Sequence, residues 1–104
     1  MVFSESSRQA LYFSRSPIPF LRNTAADHWH EQTAFYKHIG LYGFRRKALL
    51  ELAKLPPGRL EQLESLEQLR WLEAGYTIAV EVTEQEAFSI DTPQDLDELL
   101  QRLD

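Results

Sequence analysis

The sequence predicts an α/β fold in one domain spanning residues 1–104, a small sheet of about three or more strands with about three helices. Three observations carry this. Side chains alternate in facing along residues 10–15, 35–44 and 77–82, as strands require. Leucines recur at helical spacing along residues 46–55, 59–73 and 93–103, and Pro56-Pro57-Gly58 and Gly75 punctuate the elements. A composition that is 43% hydrophobic, with 4 Gly and 5 Pro in 104 residues, is that of an ordered domain with a small core.

Along residues 10–15, Leu11, Phe13 and Arg15 are predicted on one strand face, with Ala10, Tyr12 and Ser14 on the other. Pro17 and Pro19 lack the amide hydrogen of a central strand, so residues 16–20 read as an edge or extended loop. Residues 22–33 are polar and aperiodic and read as a long loop able to cover a site. The string Asp27-His28-Trp29-His30-Glu31 within it reads as solvated loop, because neighbours at i and i+2 converge on one metal ion only with further ligands from elsewhere. In residues 35–44, Ile39 and Leu41 are predicted to face the core, with His38, Gly40, Tyr42 and Phe44 opposite. Gly40 would then leave a gap between His38 and Tyr42, about 13 Å apart at roughly 3.3 Å per residue, wide enough for a polar ligand.

The helix at residues 46–55 uses Leu49, Leu50 and Leu52, and Pro56-Pro57-Gly58 ends it. In residues 59–73, Leu60, Leu63, Leu66, Leu69 and Leu72 recur every third residue, so on one continuous helix their stripe drifts and is contacted on several sides. Ile78, Val80 and Val82 share a face of the next strand. In Pro93–Leu103, Leu96, Leu99, Leu100 and Leu103 form a stripe expected to dock.

Eleven basic against sixteen acidic residues give a net charge of −5, which opposes nucleic-acid binding, and the run Arg45-Arg46-Lys47 is too short to reverse that. No cysteine is present, which excludes disulfides, thiolate metal sites and a thiol nucleophile. No apolar run spans a bilayer and no export signal is visible, so the chain reads as cytoplasmic, with no membrane partner.

Three polar residues stand where a purely structural role accounts for them incompletely. Glu67 falls between Leu63 and Trp71 on the apolar arc; it either pairs with Arg70 at i+3 or, with Gln68 beside it, addresses a polyhydroxy ligand. In Asp91-Thr92-Pro93-Gln94-Asp95, Thr92 suits the N-cap, Pro93 the first helical position and Asp95 the returning bond, which frees Asp91 to bind a divalent cation unless Asp91 is itself the cap. Arg15 at a strand end can hold a carboxylate bidentately, or its stem packs while its head stays in water. Arg15, His38, Tyr42, Glu67, Gln68 and Asp91 thus form a set able to bind a ligand. No glycine-rich phosphate loop or activated nucleophile accompanies them.

The strings Ala10-Leu11-Tyr12-Phe13-Ser14-Arg15-Ser16-Pro17-Ile18-Pro19, Lys37-His38-Ile39-Gly40-Leu41-Tyr42-Gly43-Phe44-Arg45, Leu66-Glu67-Gln68-Leu69-Arg70 and Asp91-Thr92-Pro93-Gln94-Asp95-Leu96 resemble, in order, the carboxy-terminal motifs of the 3-deoxy-manno-octulosonate cytidylyltransferases (CMP-Kdo synthetases). The resemblance implies part of a nucleotide-diphospho-sugar transferase-like fold, namely its inserted small sheet, sugar site and final helix. It implies transfer of CMP from CTP to 3-deoxy-manno-octulosonate (Kdo), releasing pyrophosphate, with Mg2+, for lipopolysaccharide biosynthesis. Arg15 would meet the sugar carboxylate, His38, Tyr42, Glu67 and Gln68 its hydroxyls, and Asp91 the magnesium ion, with a catalytic role. The family's nucleotide-binding half has no counterpart in these residues, so turnover of CTP by this chain alone is not expected. Family members pair through this half, which makes a homodimer the expected assembly. The alternatives are a structural or dimerisation module derived from such an enzyme, and a cytidylyltransferase for another acidic sugar.

Overall fold

A computed structural model describes residues 1–85 and 90–103. The sheet begins with strand β1 (Val2–Phe3), which pairs antiparallel with β2 (Ala10–Tyr12) through Val2 with Tyr12 and Phe3 with Ala10, the register slipping between them. Residues around Ala79 lie along the same stretch. The Ala10 amide donates to the Ile78 carbonyl and the Val80 amide to the Arg8 carbonyl, both at 2.8 Å. The predicted third strand is therefore reduced to a single bridge between Gln9 and Ala79. Neither does regular pairing reach Arg15, because β1 offers two residues as partner and the chain then bends, the Ser16 amide donating to Ser14 Oγ at 3.0 Å. Past that end the alternation lapses. Ala10 and Phe13 are both buried, whereas Leu11 is exposed.

Residues 22–33, expected as loop, form a turn of 3-10 helix (Ala26–His28) and the short helix α1 (Trp29–Gln32). Aromatic packing accounts for it: Trp29 stacks at 6.0 Å on Phe35, meets Phe20 edge-on at 5.2 Å, and donates its indole N–H to the Thr24 carbonyl at 2.8 Å. Helix α2 (Arg46–Leu52) follows, with Leu52 buried.

The predicted helix over residues 59–73 is two helices, α3 (Arg59–Glu64) and α4 (Gln68–Glu73), separated by residues 65–67, of which Ser65 takes the left-handed conformation at φ 54°. That break splits the drifting leucine stripe: Leu60, Leu66, Leu69 and Leu72 turn inward, while Leu63 of α3 is left exposed. Leu69 is fully buried against Ala10 and Phe13, with Leu60, Leu66, Leu72, Ile78 and Val80 around it. Glu61 staples the pair: it accepts the Gly58 amide at 3.0 Å, so closing the start of α3, and takes two bonds from the Arg70 guanidinium at 2.7 and 2.6 Å. A Cβ at Gly58 would collide with the Glu73 carboxylate, which accepts the Leu60 amide at 3.2 Å.

The Arg70 fork, with the Gly58 amide assisting, holds the Glu61 carboxyl below its ordinary value. The unfolded chain therefore takes up this proton first as pH falls. The contribution is fully present above the ordinary carboxylate range of about 4.3 and disappears as pH drops through the lowered value. Urea midpoints measured from pH 7 to pH 2 should decline on the acid side, and Glu61→Gln should flatten that decline while lowering the midpoint at pH 7.

Helix α5 (Pro93–Leu103) has the predicted bounds. Its leucine stripe does not dock as expected: Leu96, Leu100 and Leu103 are exposed. The radius of gyration is 16.5 Å, against roughly 13 Å for a compact chain of this length, so these residues enclose less than a closed domain would. Among the described residues no helix is long and apolar enough to cross a membrane.

Candidate functional site

The site is built on a bend. Gly40 takes φ +85°, a backbone conformation that costs an L-residue roughly 1–2 kcal/mol, and it breaks the predicted strand over residues 35–44. The expected facing is thereby inverted. Ile39 is 40% and Leu41 89% exposed, while His38 and Tyr42 turn inward. No gap opens between those two residues either: the Tyr42 hydroxyl is hydrogen-bonded to His38 Nε2, with the ring centroids 5.4 Å apart.

From the other side of the imidazole, Gln68 brings its Nε2 to 3.4 Å from His38 Nδ1. Gln68 is the one buried polar residue among those described, 5% exposed at the start of α4, and this bond gives its amide a partner. Phe13 meets the imidazole edge-on at 5.0 Å, and Trp71 meets Tyr42 at 5.0 Å and Phe44 at 5.3 Å. The polar line Tyr42, His38, Gln68 is therefore walled by aromatic rings on both sides.

Burial, with the Glu67 carboxylate adding to it, pushes the Tyr42 hydroxyl up to about 12, so it keeps its proton throughout the neutral range. Burial also lowers His38 below its ordinary value, which leaves the ring neutral near pH 7. A neutral imidazole has one donor and one acceptor nitrogen: the Gln68 Nε2–H donates to Nδ1, which leaves the proton on Nε2 to donate to the Tyr42 hydroxyl.

Arg15 approaches from beyond β2. It shares with His38 and Gln68 a groove of about 720 Å³, lined also by Ser14, Lys37 and, from the helical turns over residues 26–32, Trp29 and His30. The covering segment anticipated at residues 22–33 thus does border this groove. Part of the guanidinium is already engaged: Nε donates to the Glu64 carbonyl at 3.0 Å and Nη2 to the Ser65 carbonyl at 2.7 Å. Two of its five N–H groups are used and three remain.

Glu67 and Asp91 stand apart from that groove. The break at Ser65 takes Glu67 off the apolar arc, and its side chain is exposed rather than desolvated. The alternative pairing with Arg70 does not form, because Arg70 forks onto Glu61. Asp91 lies just before α5, where the capping logic holds: the Thr92 amide donates to Asp95 Oδ2 at 3.0 Å and the Asp95 amide to Thr92 Oγ1 at 3.2 Å. The Asp91 amide also donates to Asp95 Oδ2, at 3.0 Å, so the Asp91 carboxylate is left outside the cap and exposed. Asp27 and Glu31 turn toward His28, and among the described residues no three His, Asp or Glu side chains gather to hold a metal ion.

Two contributors escape sequence reasoning. Glu64 grips Arg15 and Ser14 across about fifty residues of chain, a pairing that no local spacing signals. Trp71 is visible only as an aromatic within a leucine stripe, although it supports Tyr42.

The cytidylyltransferase family model matches residues 1–78. A 3-deoxy-manno-octulosonate cytidylyltransferase of Phocaeicola vulgatus is 59% identical over 87 residues, covering 84% of this chain and 34% of that protein. The protein of the same name in Parabacteroides distasonis is 50% identical over 99 residues, covering 95% and 39% respectively. A solved structure of a CMP:2-keto-3-deoxy-manno-octonic acid synthetase complexed with CTP superposes with a TM-score of 0.72 at 38% identity, covering 98% of this chain and 40% of that one. The chain thus spans well under half the length of these relatives.

Proposed function

The chain belongs to the cytidylyltransferase family, and on that premise we propose that it contributes the sugar-acid side of CMP transfer from CTP to 3-deoxy-manno-octulosonate. The observation that carries this reading is the convergence of Arg15, His38 and Gln68 on one groove. The three N–H groups left on Arg15 suit a carboxylate, and the Gln68 amide, held by one N–H on His38, keeps its second N–H and its oxygen for the hydroxyls of a ligand. Tyr42, protonated and bonded to His38, fixes the imidazole on its inner side. In this reading Glu67 reaches the sugar from the rim.

Holding the sugar acid by its carboxylate and hydroxyls fixes where its anomeric hydroxyl points, which is the positioning on which phosphoryl transfer chiefly depends. The groups that handle CTP lie outside these residues. Asp91 fits a magnesium ligand in chemistry, an exposed carboxylate that the helix cap leaves unused, and Mg2+ is commonly held by one or two carboxylates together with phosphate oxygens and water. When bound, that ion would neutralise phosphate charge and favour ionisation of the attacking hydroxyl. The expected setting is cytoplasmic lipopolysaccharide synthesis by a homodimer, and the uncovered leucines of α5 support further protein contacts.

A second reading, a structural module, is favoured by the two carbonyl bonds of the Arg15 guanidinium. Calorimetric titration with 3-deoxy-manno-octulosonate, with and without magnesium, separates the two. Arg15→Ala is expected to weaken binding by about 10- to 100-fold, the loss of charge-assisted hydrogen bonds. A folded chain indifferent to millimolar sugar would leave the structural module as the better account.

A further inference from the structure

The least explained residue near the groove is Glu64, the last of α3. Its Oε1 accepts the Arg15 amide at 2.9 Å and the Ser14 hydroxyl at 3.1 Å, and its main-chain carbonyl accepts Arg15 Nε at 3.0 Å. The next carbonyl, that of Ser65, accepts Arg15 Nη2 at 2.7 Å. One arginine is thus gripped at its backbone and at its head by two consecutive residues. The left-handed turn at Ser65 ends the helix there, where carbonyls without intrahelical partners attract a cation.

The choice of nitrogens matters. Nε and Nη2 form one side of the guanidinium plane, so the carbonyls occupy that side and leave the Nη1–Nη2 edge, the geometry that takes both oxygens of a carboxylate. Without the grip Arg15, which is exposed, would distribute over many rotamers and meet a ligand only after losing that freedom. The Arg15 amide in turn holds the Glu64 carboxyl below its ordinary value, so the carboxylate remains a charged acceptor at neutral pH.

We propose that the Glu64 carboxylate is a positioning group for the sugar-acid site: by anchoring the chain at Ser14 and Arg15 it keeps the guanidinium on the Glu64 and Ser65 carbonyls, so that its Nη1–Nη2 edge faces the substrate carboxylate. The inference rests on the assignment of Arg15 to that carboxylate. The experiment titrates the wild-type chain, Arg15→Ala, Glu64→Ala, Glu64→Asp and Glu64→Gln with 3-deoxy-manno-octulosonate and with its methyl ester, each protein checked for fold by circular dichroism. The wild-type chain should prefer the acid by about tenfold or more, and Arg15→Ala should abolish that preference. Glu64→Ala should lose most of it while binding the ester as before. Glu64→Gln keeps an acceptor for the Arg15 amide and should restore it to within about threefold. Should Glu64→Ala not fold, Glu64→Asp, which keeps the charge but withdraws the oxygen by one methylene, should show the same selective loss. Equal weakening of acid and ester would mean that Glu64 only supports packing, and that overturns the proposal. A preference kept in both Glu64→Ala and Glu64→Asp but lost in Arg15→Ala overturns it too, leaving Arg15 as the carboxylate ligand. A wild-type chain that binds acid and ester alike removes both.

Discussion

Phe13→Ala is expected to lower the free energy of unfolding by about 3 to 5 kcal/mol, read as a shift of the urea midpoint followed by tryptophan fluorescence. Phe13 is 2% exposed and joins three parts of the molecule: the end of β2, Leu69 of α4 and the edge of His38. Its loss removes a ring that little else can replace, because the buried apolar residues described are only Ala10, Leu52, Leu69 and Trp71 besides itself. A domain of ordinary stability has about 5 to 15 kcal/mol in total, so this one substitution takes a large share. Phe13→Leu, which keeps most of the volume, should cost clearly less.

Trp71→Ala should cost a similar amount, about 3 to 5 kcal/mol, with a second signature at the site. The indole is the edge-on partner of both Tyr42 and Phe44, and burial is the first cause holding the Tyr42 hydroxyl up to about 12. With the indole gone, Tyr42 is more open to water and its ionisation should move down toward the ordinary value near 10. Absorbance titration of tyrosinate, differenced against Tyr42→Phe in each background, isolates this one residue. An unchanged Tyr42 titration would show that its environment is set from elsewhere, by Glu67 or by the bond to His38.

Where the chain's own spacing decides the structure, the sequence is a good guide. The bounds of α5 and the Thr92–Asp95 cap follow from local chemistry, a hydroxyl, a proline and a carboxylate at fixed offsets. Arg15, His38 and Gln68 can be picked out as polar residues in awkward places, and they do line one groove. What spacing cannot supply is the direction of the chain after a left-handed residue. Gly40 inverts the inward face of residues 38–42, and Ser65 divides what reads as one helix. A serine at positive φ carries no compositional flag, unlike a glycine, so the second event is harder to foresee. Glu64 was beyond reach for another reason, since its partners lie some fifty residues away. Glu67 and Asp91 do not line the groove; both are exposed, the first beside the Ser65 break between two residues that do line it and the second before α5.

The division at Ser65 also makes this stretch of gene intolerant of changes in length. Surface joints between helices ordinarily accept an added or deleted codon, because the slack is absorbed in solvent. Here only Leu66 and Glu67 lie between the carbonyls that receive Arg15 and the helix that carries Gln68 and Arg70. A one-codon insertion or deletion between Glu64 and Gln68 would displace α4 relative to α3, taking Leu69 out of the core and Arg70 away from Glu61. Substitutions at this joint are graded in effect, whereas a shift in length disturbs packing, ion pair and groove together.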